Sequence, residues 1–337
     1  DGEAVAPKLK ALIDAVTADK HIHLHLDSEL VSVEGFVGNF KSILKKGADE
    51  TTVEHGVAIV ATGGKPYVPN EYAYGQDARV VTSLELDHKL MGNDDAVDKA
   101  DTAVFIQCVG SRQPDRPYCS RVCCTHTVDN ALALIERNPE MNVYVLYRDM
   151  RTYGEREYLY KEARQKGVIF INYTLENKPQ VEVQKGGALT VTVTDHVLKQ
   201  PVTIETDLLC LATAILPNKD EALAQFFKVP LNEDGFFVER HAKLGPVEFA
   251  TDGVFLCGMA HYPNPLDESV VQATAAASRA GTRLSRDQRY PRGPGAEVNL
   301  ANCRPCGECG SVCPYSAPAC RSSEERIYPG RAENNPG

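Results

Sequence analysis

Two groups of cysteines carry the strongest chemical signal in this sequence. Near the C-terminus, Cys303, Cys306, Cys309 and Cys313 follow the spacing C-x2-C-x2-C-x3-C, with Pro314 directly after the last. Thiolates two residues apart on a tight loop reach neighbouring corners of one cubane, and this run is a signature of [4Fe–4S] ligation. Zinc is the competing reading. Zinc sites usually join two separated C-x-x-C knuckles, and a third close cysteine followed by Cys-Pro does not fit them. Where two such runs occur together, the fourth cysteine of each serves the other cluster. One run is present here, so Cys313 would be without the cluster it usually serves, and Cys303, Cys306 and Cys309 without their usual remote ligand. Cys320 is either a substitute ligand or a spare thiol.

The second group, Cys108, Cys119, Cys123 and Cys124, puts four sulfurs within seventeen residues. Spacing alone leaves two readings open: a second cluster, or buried cysteines acting as small apolar groups. The segment also lacks the G-x-G-x-x-G of a nicotinamide site. Its loop reads Cys108-Val109-Gly110-Ser111-Arg112, with Pro114 and Pro117 following, which argues against dinucleotide binding at this point. Arg112, Arg116 and Arg121 lie beside these cysteines, either tuning a potential or steering a partner, or as ordinary surface charges. Cys210 and Cys257 sit inside apolar stretches and read as core residues. His21, His23 and His25 alternate without a nearby cysteine or carboxylate partner, which favours a solvated strand face over a metal face.

These residues need elements to position them. Val5, Leu9, Leu12, Ile13 and Val16 recur at helical spacing, so the chain opens on an amphipathic helix. Residues 21–33 alternate like a strand. Residues 53–61 read as a buried strand running into Thr62-Gly63-Gly64, a turn at which backbone can approach a cofactor closely. From residue 102 the pattern is β-α-β-α-β, with strands at 103–106, 143–147 and 168–171. One helix shows its face in Val128, Ala131, Leu132 and Ile135, and the other covers 156–166. Such alternation implies a parallel, doubly wound sheet. Cys108 then ends a parallel strand and residues 119–124 start the next helix, at the carboxyl-end crevice where α/β proteins place cofactors. Short antiparallel strands follow at 181–183, 189–193 and 202–204, then strands at 207–213 and 253–258. An alanine-rich helix spans 268–285, and a Pro/Gly linker at 290–295 leads to the C-terminal cysteines.

Composition narrows the class. With 36 basic and 46 acidic side chains among 337 residues, the net charge of −10 argues against a nucleic-acid or anionic-membrane surface. A hydrophobic content of 43% excludes wholesale disorder, and no apolar run approaches the roughly 20 residues needed to span a bilayer. Eleven cysteines, an odd number, fit a reduced compartment holding metal better than a disulfide framework. The first residue is Asp, no signal peptide follows, and the last residues form no closing element. The chain reads as a piece of a longer polypeptide.

The motif Cys108-Val109-Gly110-Ser111-Arg112 followed by Tyr118-Cys119-Ser120-Arg121-Val122-Cys123-Cys124 resembles the A-type subunits of heterodisulfide reductase. The resemblance extends over nearly the whole chain. It takes in Val33-Glu34-Gly35-Phe36-Val37-Gly38-Asn39-Phe40, the Ala61-Thr62-Gly63-Gly64 turn, Tyr153-Gly154, residues 253–258 and the C-terminal run. Subunits of quinone-interacting oxidoreductases carry a similar core. The resemblance implies a cytoplasmic, thioredoxin-reductase-like iron–sulfur flavoprotein with an α/β fold. Residues 1–98 and 216–290 would form a split FAD-binding domain around a central Rossmann-like domain, 99–215, that has lost nicotinamide binding and gained a β-meander. Residues 296–337 would be a truncated ferredoxin-like segment. The family implies a [4Fe–4S] cluster on Cys108, Cys119, Cys123 and Cys124, and FAD contacts from Thr62, Gly63, Gly64, Lys65, Gly258, Met259, Ser269, Val270 and Gln272. A helix N-terminus near Ser269 would direct its positive end at the flavin.

Two departures stand out. Met259 replaces the Asp of a Gly-Asp pair in simple relatives, and the first FAD strand with its G-x-G-x-x-G, which carries the pyrophosphate seat, would lie before residue 1. The function implied is electron transfer from flavin through clusters in a heterodisulfide reductase-type complex, by flavin-based bifurcation, with other subunits and a ferredoxin-like carrier as partners. The intact parent is expected to bind FAD and be an oxidoreductase, and the isolated piece to be inactive. No acid–base residue is assigned, because disulfide cleavage would lie in a partner chain. The alternatives are a non-catalytic relay or scaffold module and the quinone-interacting type.

Overall fold

The computed structural model describes residues 5–92, 94–218, 220–285, 299, 301–304, 306–312, 318–320 and 332–334. The chain divides into two compact units, Asp1–Ala58 with Gly281–Gly337, and Ile59–Ala280. The divisions expected at residues 98, 215 and 290 remain a proposal beside this partition.

In the first unit, helix α1 (Val5–Ala18) forms where the apolar repeat places it, and none of its residues is buried. The strand expected over 21–33 begins only at Glu29. Strand β1 (Glu29–Glu34) pairs antiparallel with β2 (Phe40–Lys46), and β2 with β3 (Asp49–His55). Alternation alone does not make a strand without a neighbour to complete its hydrogen bonds. At 21–28 the chain turns instead: Asp19 Oδ1 accepts from the His21 N–H at 2.8 Å, and Asp27 takes φ 55°. His21, His23 and His25 are exposed, as a solvated segment requires. The single buried strand expected over 53–61 is also two elements. β3 is mostly exposed and ends at His55, whose Nδ1 bonds the Val57 carbonyl at 2.9 Å, and β4 (Ala58–Val60) follows.

The second unit is built on a five-stranded parallel sheet. In chain order its elements begin with β5 (Gly64–Pro66), β6 (Val80–Thr82), α2 (Ser83–Gly92) and α3 (Asp95–Asp98). The expected β-α-β-α-β run appears as β7 (Thr102–Val109), α4 (Cys123–Arg137), β8 (Asn142–Tyr147), α5 (Glu157–Gln165) and β9 (Ile169–Asn172). A meander of β10 (Gln180–Val183), β11 (Leu189–Asp195) and β12 (Gln200–Glu205) precedes β13 (Leu208–Thr213). The sheet order is β6-β13-β7-β8-β9, and every pair is parallel.

Strand alternation explains how the two faces are covered. Ala103, Phe105, Val145 and Cys210 point to one side, where Val128, Ala131 and Leu134 of α4 complete a buried cluster. Val104, Ile106, Leu209 and Leu211 point to the other, where Leu189, Val191 and Val193 of the meander cover them. Val80 and Val81 add an edge strand of only three residues. After β13 come β14 (Ile215–Pro217), antiparallel to β5, then α6 (Glu221–Phe227), β15 (Val254–Leu256), which joins β4, and α7 (Leu266–Leu284).

The C-terminal segment contributes α8 (Glu308–Val312) and the antiparallel pair β16 (Pro318–Cys320) and β17 (Ala332–Asn334). These short elements leave the ferredoxin-like fold an expectation, and the linker at 290–295 lies outside the described residues. Among the described residues no helix is long and apolar enough to cross a membrane.

Candidate functional site

Strand β7 delivers Cys108 to the carboxyl edge of the parallel sheet, and α4 begins at Cys123 and Cys124. Cys119 sits in the connecting loop, not in the helix as its spacing suggested. That loop is sharply folded. Cys108, Arg112 and Arg121 take φ of 59°, 56° and 61°, a region that residues with a Cβ seldom adopt. Such strain clusters at functional sites and persists only where neighbours enforce it. Gly110 takes φ 78°, and a Cβ there would stand 2.3 Å from the Tyr67 ring. The glycine of the Cys-Val-Gly-Ser-Arg motif is therefore a steric necessity. Arg116 closes the loop, donating from Nε to the Gly110 carbonyl at 2.7 Å with its guanidinium 4.7 Å from the Tyr67 ring centre.

Two of the four sulfurs meet a donor, and Cys124 Sγ stands 3.7 Å from the Asp149 carbonyl oxygen. Arg112 Nη1 lies 3.9 Å from Cys108 Sγ, and the Arg121 N–H donates to Cys119 Sγ at 3.3 Å. Donors of this kind favour thiolates and are how proteins hold and tune sulfur-ligated clusters. Burial works the other way. It pushes the Cys123 thiol well above its ordinary value, with further upward pushes from Cys124, Cys108 and Cys119. Burial likewise lifts Cys124 to about 11. The four thiols thus share one neighbourhood in which a free thiolate is costly and a metal-bound one is offered hydrogen bonds. Among the described residues, no three His, Cys, Asp or Glu side chains converge tightly enough for a single metal ion.

Sequence reasoning leaves the three arginines open, and the structure makes them part of the site. The Arg121 guanidinium donates to Asn264 Oδ1 at 2.5 Å, to Glu268 Oε2 at 2.8 Å and to Tyr153 Oη at 2.9 Å. It lies over the rings of Tyr153 and Tyr262, at 5.5 and 5.2 Å. This residue therefore links the cysteine loop to the first turn of α7. An open cleft beside it is lined by Cys119, Arg121, Arg151 and Tyr153.

The residues expected to contact FAD gather around two turns. Gly63 takes φ 76° with open space on its Cβ side. At Gly64 a Cβ would meet the Leu216 carbonyl oxygen at 2.9 Å and Met259 Cβ at 3.6 Å, so the turn at 62–65 abuts the one at Gly258 and Met259. Thr62 donates from Oγ1 to Asp220 Oδ2 at 2.5 Å, and its carbonyl accepts from Asn218 at 2.7 Å. Lys65 is exposed on β5. The Gly258 N–H donates to Gln272 Oε1 at 3.0 Å, and Gln272 Nε2 reaches Tyr262 Oη at 3.2 Å. Val270 is exposed on α7, whereas Ser269 Oγ is buried with no hydrogen-bond partner. A buried orphan hydroxyl at a helix N-terminus, beside two glycine turns, is a polar position of the kind that an acceptor group on a cofactor satisfies.

In the C-terminal run Cys303 and Cys309 are half-buried and Cys306 is exposed. Cys313 lies outside the described residues, and Cys320 falls in β16. Cys210 and Cys257 are buried, as core residues should be.

A parallel sheet with a meander insert, flanked by glycine turns on returning strands, defines a thioredoxin-reductase-like α/β protein. Thioredoxin reductase of T. acidophilum superposes with a TM-score of 0.52 at 16% identity, covering 84% of this chain and 82% of that one. That likeness speaks for the fold. No protein-family profile matches. Sequence similarity goes further, and the chain belongs to the family of heterodisulfide reductase A-type subunits. It is 35% identical over 284 residues to an iron–sulfur subunit of this type from the CoB–CoM heterodisulfide reductase of Methanopyrus kandleri, covering 78% of this chain and 42% of that protein. It is also 35% identical over 289 residues to the corresponding chain of the H2:CoB–CoM heterodisulfide, ferredoxin reductase of Methanothermobacter marburgensis, with coverage of 80% and 43%. A protein of Archaeoglobus profundus described as similar to these subunits is 36% identical over 218 residues, with coverage of 64% and 30%. The chain spans less than half the length of these relatives.

Proposed function

We propose that this chain is the FAD and [4Fe–4S] electron-transfer part of a cytoplasmic oxidoreductase component in a heterodisulfide reductase-type complex. Four thiols gathered where β7 ends and α4 begins, two of them met by an N–H or guanidinium donor, carry this reading. Cys108, Cys119, Cys123 and Cys124 would hold one cluster, and Cys303, Cys306, Cys309 and Cys313 would supply ligands for further iron–sulfur binding. The turns at 62–65 and at Gly258 and Met259, with Ser269, Val270 and Gln272 on α7, would hold FAD.

When bound, the flavin exchanges an electron pair and the clusters carry single electrons, which is the chemistry that flavin-based bifurcation between a disulfide acceptor and a ferredoxin needs. The chain's own residues orient and tune. Gly110 lets the loop pass under Tyr67, Arg121 ties that loop to the first turn of α7, and the packing of β7 and α4 buries Cys108, Cys123 and Cys124. Other subunits of such a complex and a ferredoxin-like carrier are the partners this implies. Names of the relatives, which include heterodisulfide and ferredoxin as reactants, support that assignment.

The test is visible absorbance with iron and acid-labile sulfide analysis of the full-length protein prepared anaerobically. Flavin together with iron and sulfide in near-equal amounts is expected. Iron without flavin would reduce the protein to a relay or scaffold module, and absence of both would refute the assignment.

A further inference from the structure

We propose that Arg112, opposed by Asp149, sets the reduction potential of the cluster held by Cys108, Cys119, Cys123 and Cys124, an inference that rests on the cluster reading above. The Arg112 side chain is only 19% exposed, and its guanidinium is shared between two groups of opposite consequence. Nη1 faces Cys108 Sγ at 3.9 Å, while Nη2 pairs with the Asp149 carboxylate. The residue is held in a left-handed conformation, φ 56°, by bonds on both sides of its backbone. Its N–H donates to the Tyr118 carbonyl at 3.1 Å, and its carbonyl accepts from Arg148 Nη1 at 2.7 Å. An ordinary surface ion pair needs no such fixing and contributes little. Here the strained backbone serves to aim the charge at a sulfur.

The sign of the effect follows from electrostatics. Reduction adds one electron to the cluster and breaks no bond. The guanidinium stays protonated throughout, because arginine does not titrate in this range. A fixed positive charge at a cysteine sulfur stabilises the more negative, reduced state and so raises the potential. The Asp149 carboxylate, on the far side of the same guanidinium, damps that effect. The main-chain carbonyl of Asp149 stands 3.7 Å from Cys124 Sγ, a placement set by the backbone and so kept when the side chain is changed to the amide.

Anaerobic redox titration of the full-length protein, followed by the paramagnetic signal of the reduced cluster, tests this in Arg112→Gln, Arg112→Lys and Asp149→Asn. In Arg112→Gln the reduced-to-oxidised ratio at the wild-type midpoint should fall about tenfold, about 59 mV for one electron. Arg112→Lys should stay near wild type, and Asp149→Asn should shift in the opposite, upward direction. An unchanged midpoint in Arg112→Gln with full iron content would overturn the inference, as would shifts of the same sign in Arg112→Gln and Asp149→Asn. Should Arg112→Gln lose its cluster, Asp149→Asn decides alone, an upward shift supporting the inference and any other result refuting it. Iron and paramagnetic signals that survive Cys123→Ser unchanged would remove the cluster reading itself, and with it the role of Arg112.

Discussion

Gly110 and Cys210 show how single positions in this chain are constrained for different reasons. Gly110 combines a left-handed φ with a Tyr67 ring where any Cβ would go. Gly110→Ala should therefore cost about 2 kcal/mol or more, through backbone strain and displacement of Tyr67. Urea unfolding would read this as a lower midpoint at unchanged slope. Cys210 is a core thiol that burial pushes up to about 12, with the Ser83 hydroxyl at 3.7 Å opposing the shift. Because its folded value is raised, the folded state holds this proton where the unfolded chain has released it. Its contribution is fully present below pH 9 and is lost as pH climbs towards 12. The fall in urea midpoint across that range should be shallower in Cys210→Ala than in wild type.

At the scale of elements, α4 is the piece on which the site depends. Its first residues are ligand candidates, and its buried face seals one side of the sheet. Leu134 is fully buried in that seam, so Leu134→Ala should destabilise the protein by about 2–5 kcal/mol. Thermal unfolding followed by circular dichroism checks this. The β-α-β-α-β run is legible in the sequence because its central strands carry apolar runs largely buried on both faces, and α4 shows a clean helical face. Residues 21–28 mislead because an alternating pattern carries no information on whether a neighbouring strand exists. Val80 and Val81 join the sheet edge in a strand too short to show any period. Arg121 is ambiguous in the sequence for a related reason: Glu268, its carboxylate partner, lies 147 residues away and no local spacing links them. The cysteines themselves are legible by spacing and resemblance, whereas the Arg121 N–H that serves Cys119 is a backbone group and leaves no trace in side-chain identity.

For the molecule as a whole, the chain covers under half the length of its relatives, and the proposed redox centre rests on the compact unit Ile59–Ala280. There the cysteine loop and the glycine turns are joined by Arg121 through Asn264 and Glu268, which makes the proposed cluster and flavin sites parts of one structural unit. The potential proposed to be set by Arg112 and the electron path from flavin both require a [4Fe–4S] cluster on Cys108, Cys119, Cys123 and Cys124. That cluster is tested most directly by iron content and the paramagnetic spectrum of reduced, anaerobically prepared Cys123→Ser beside wild type. The expected result is loss of about four irons, or a changed cluster signal if the serine oxygen substitutes as ligand. Wild-type iron content together with an unaltered spectrum would contradict it.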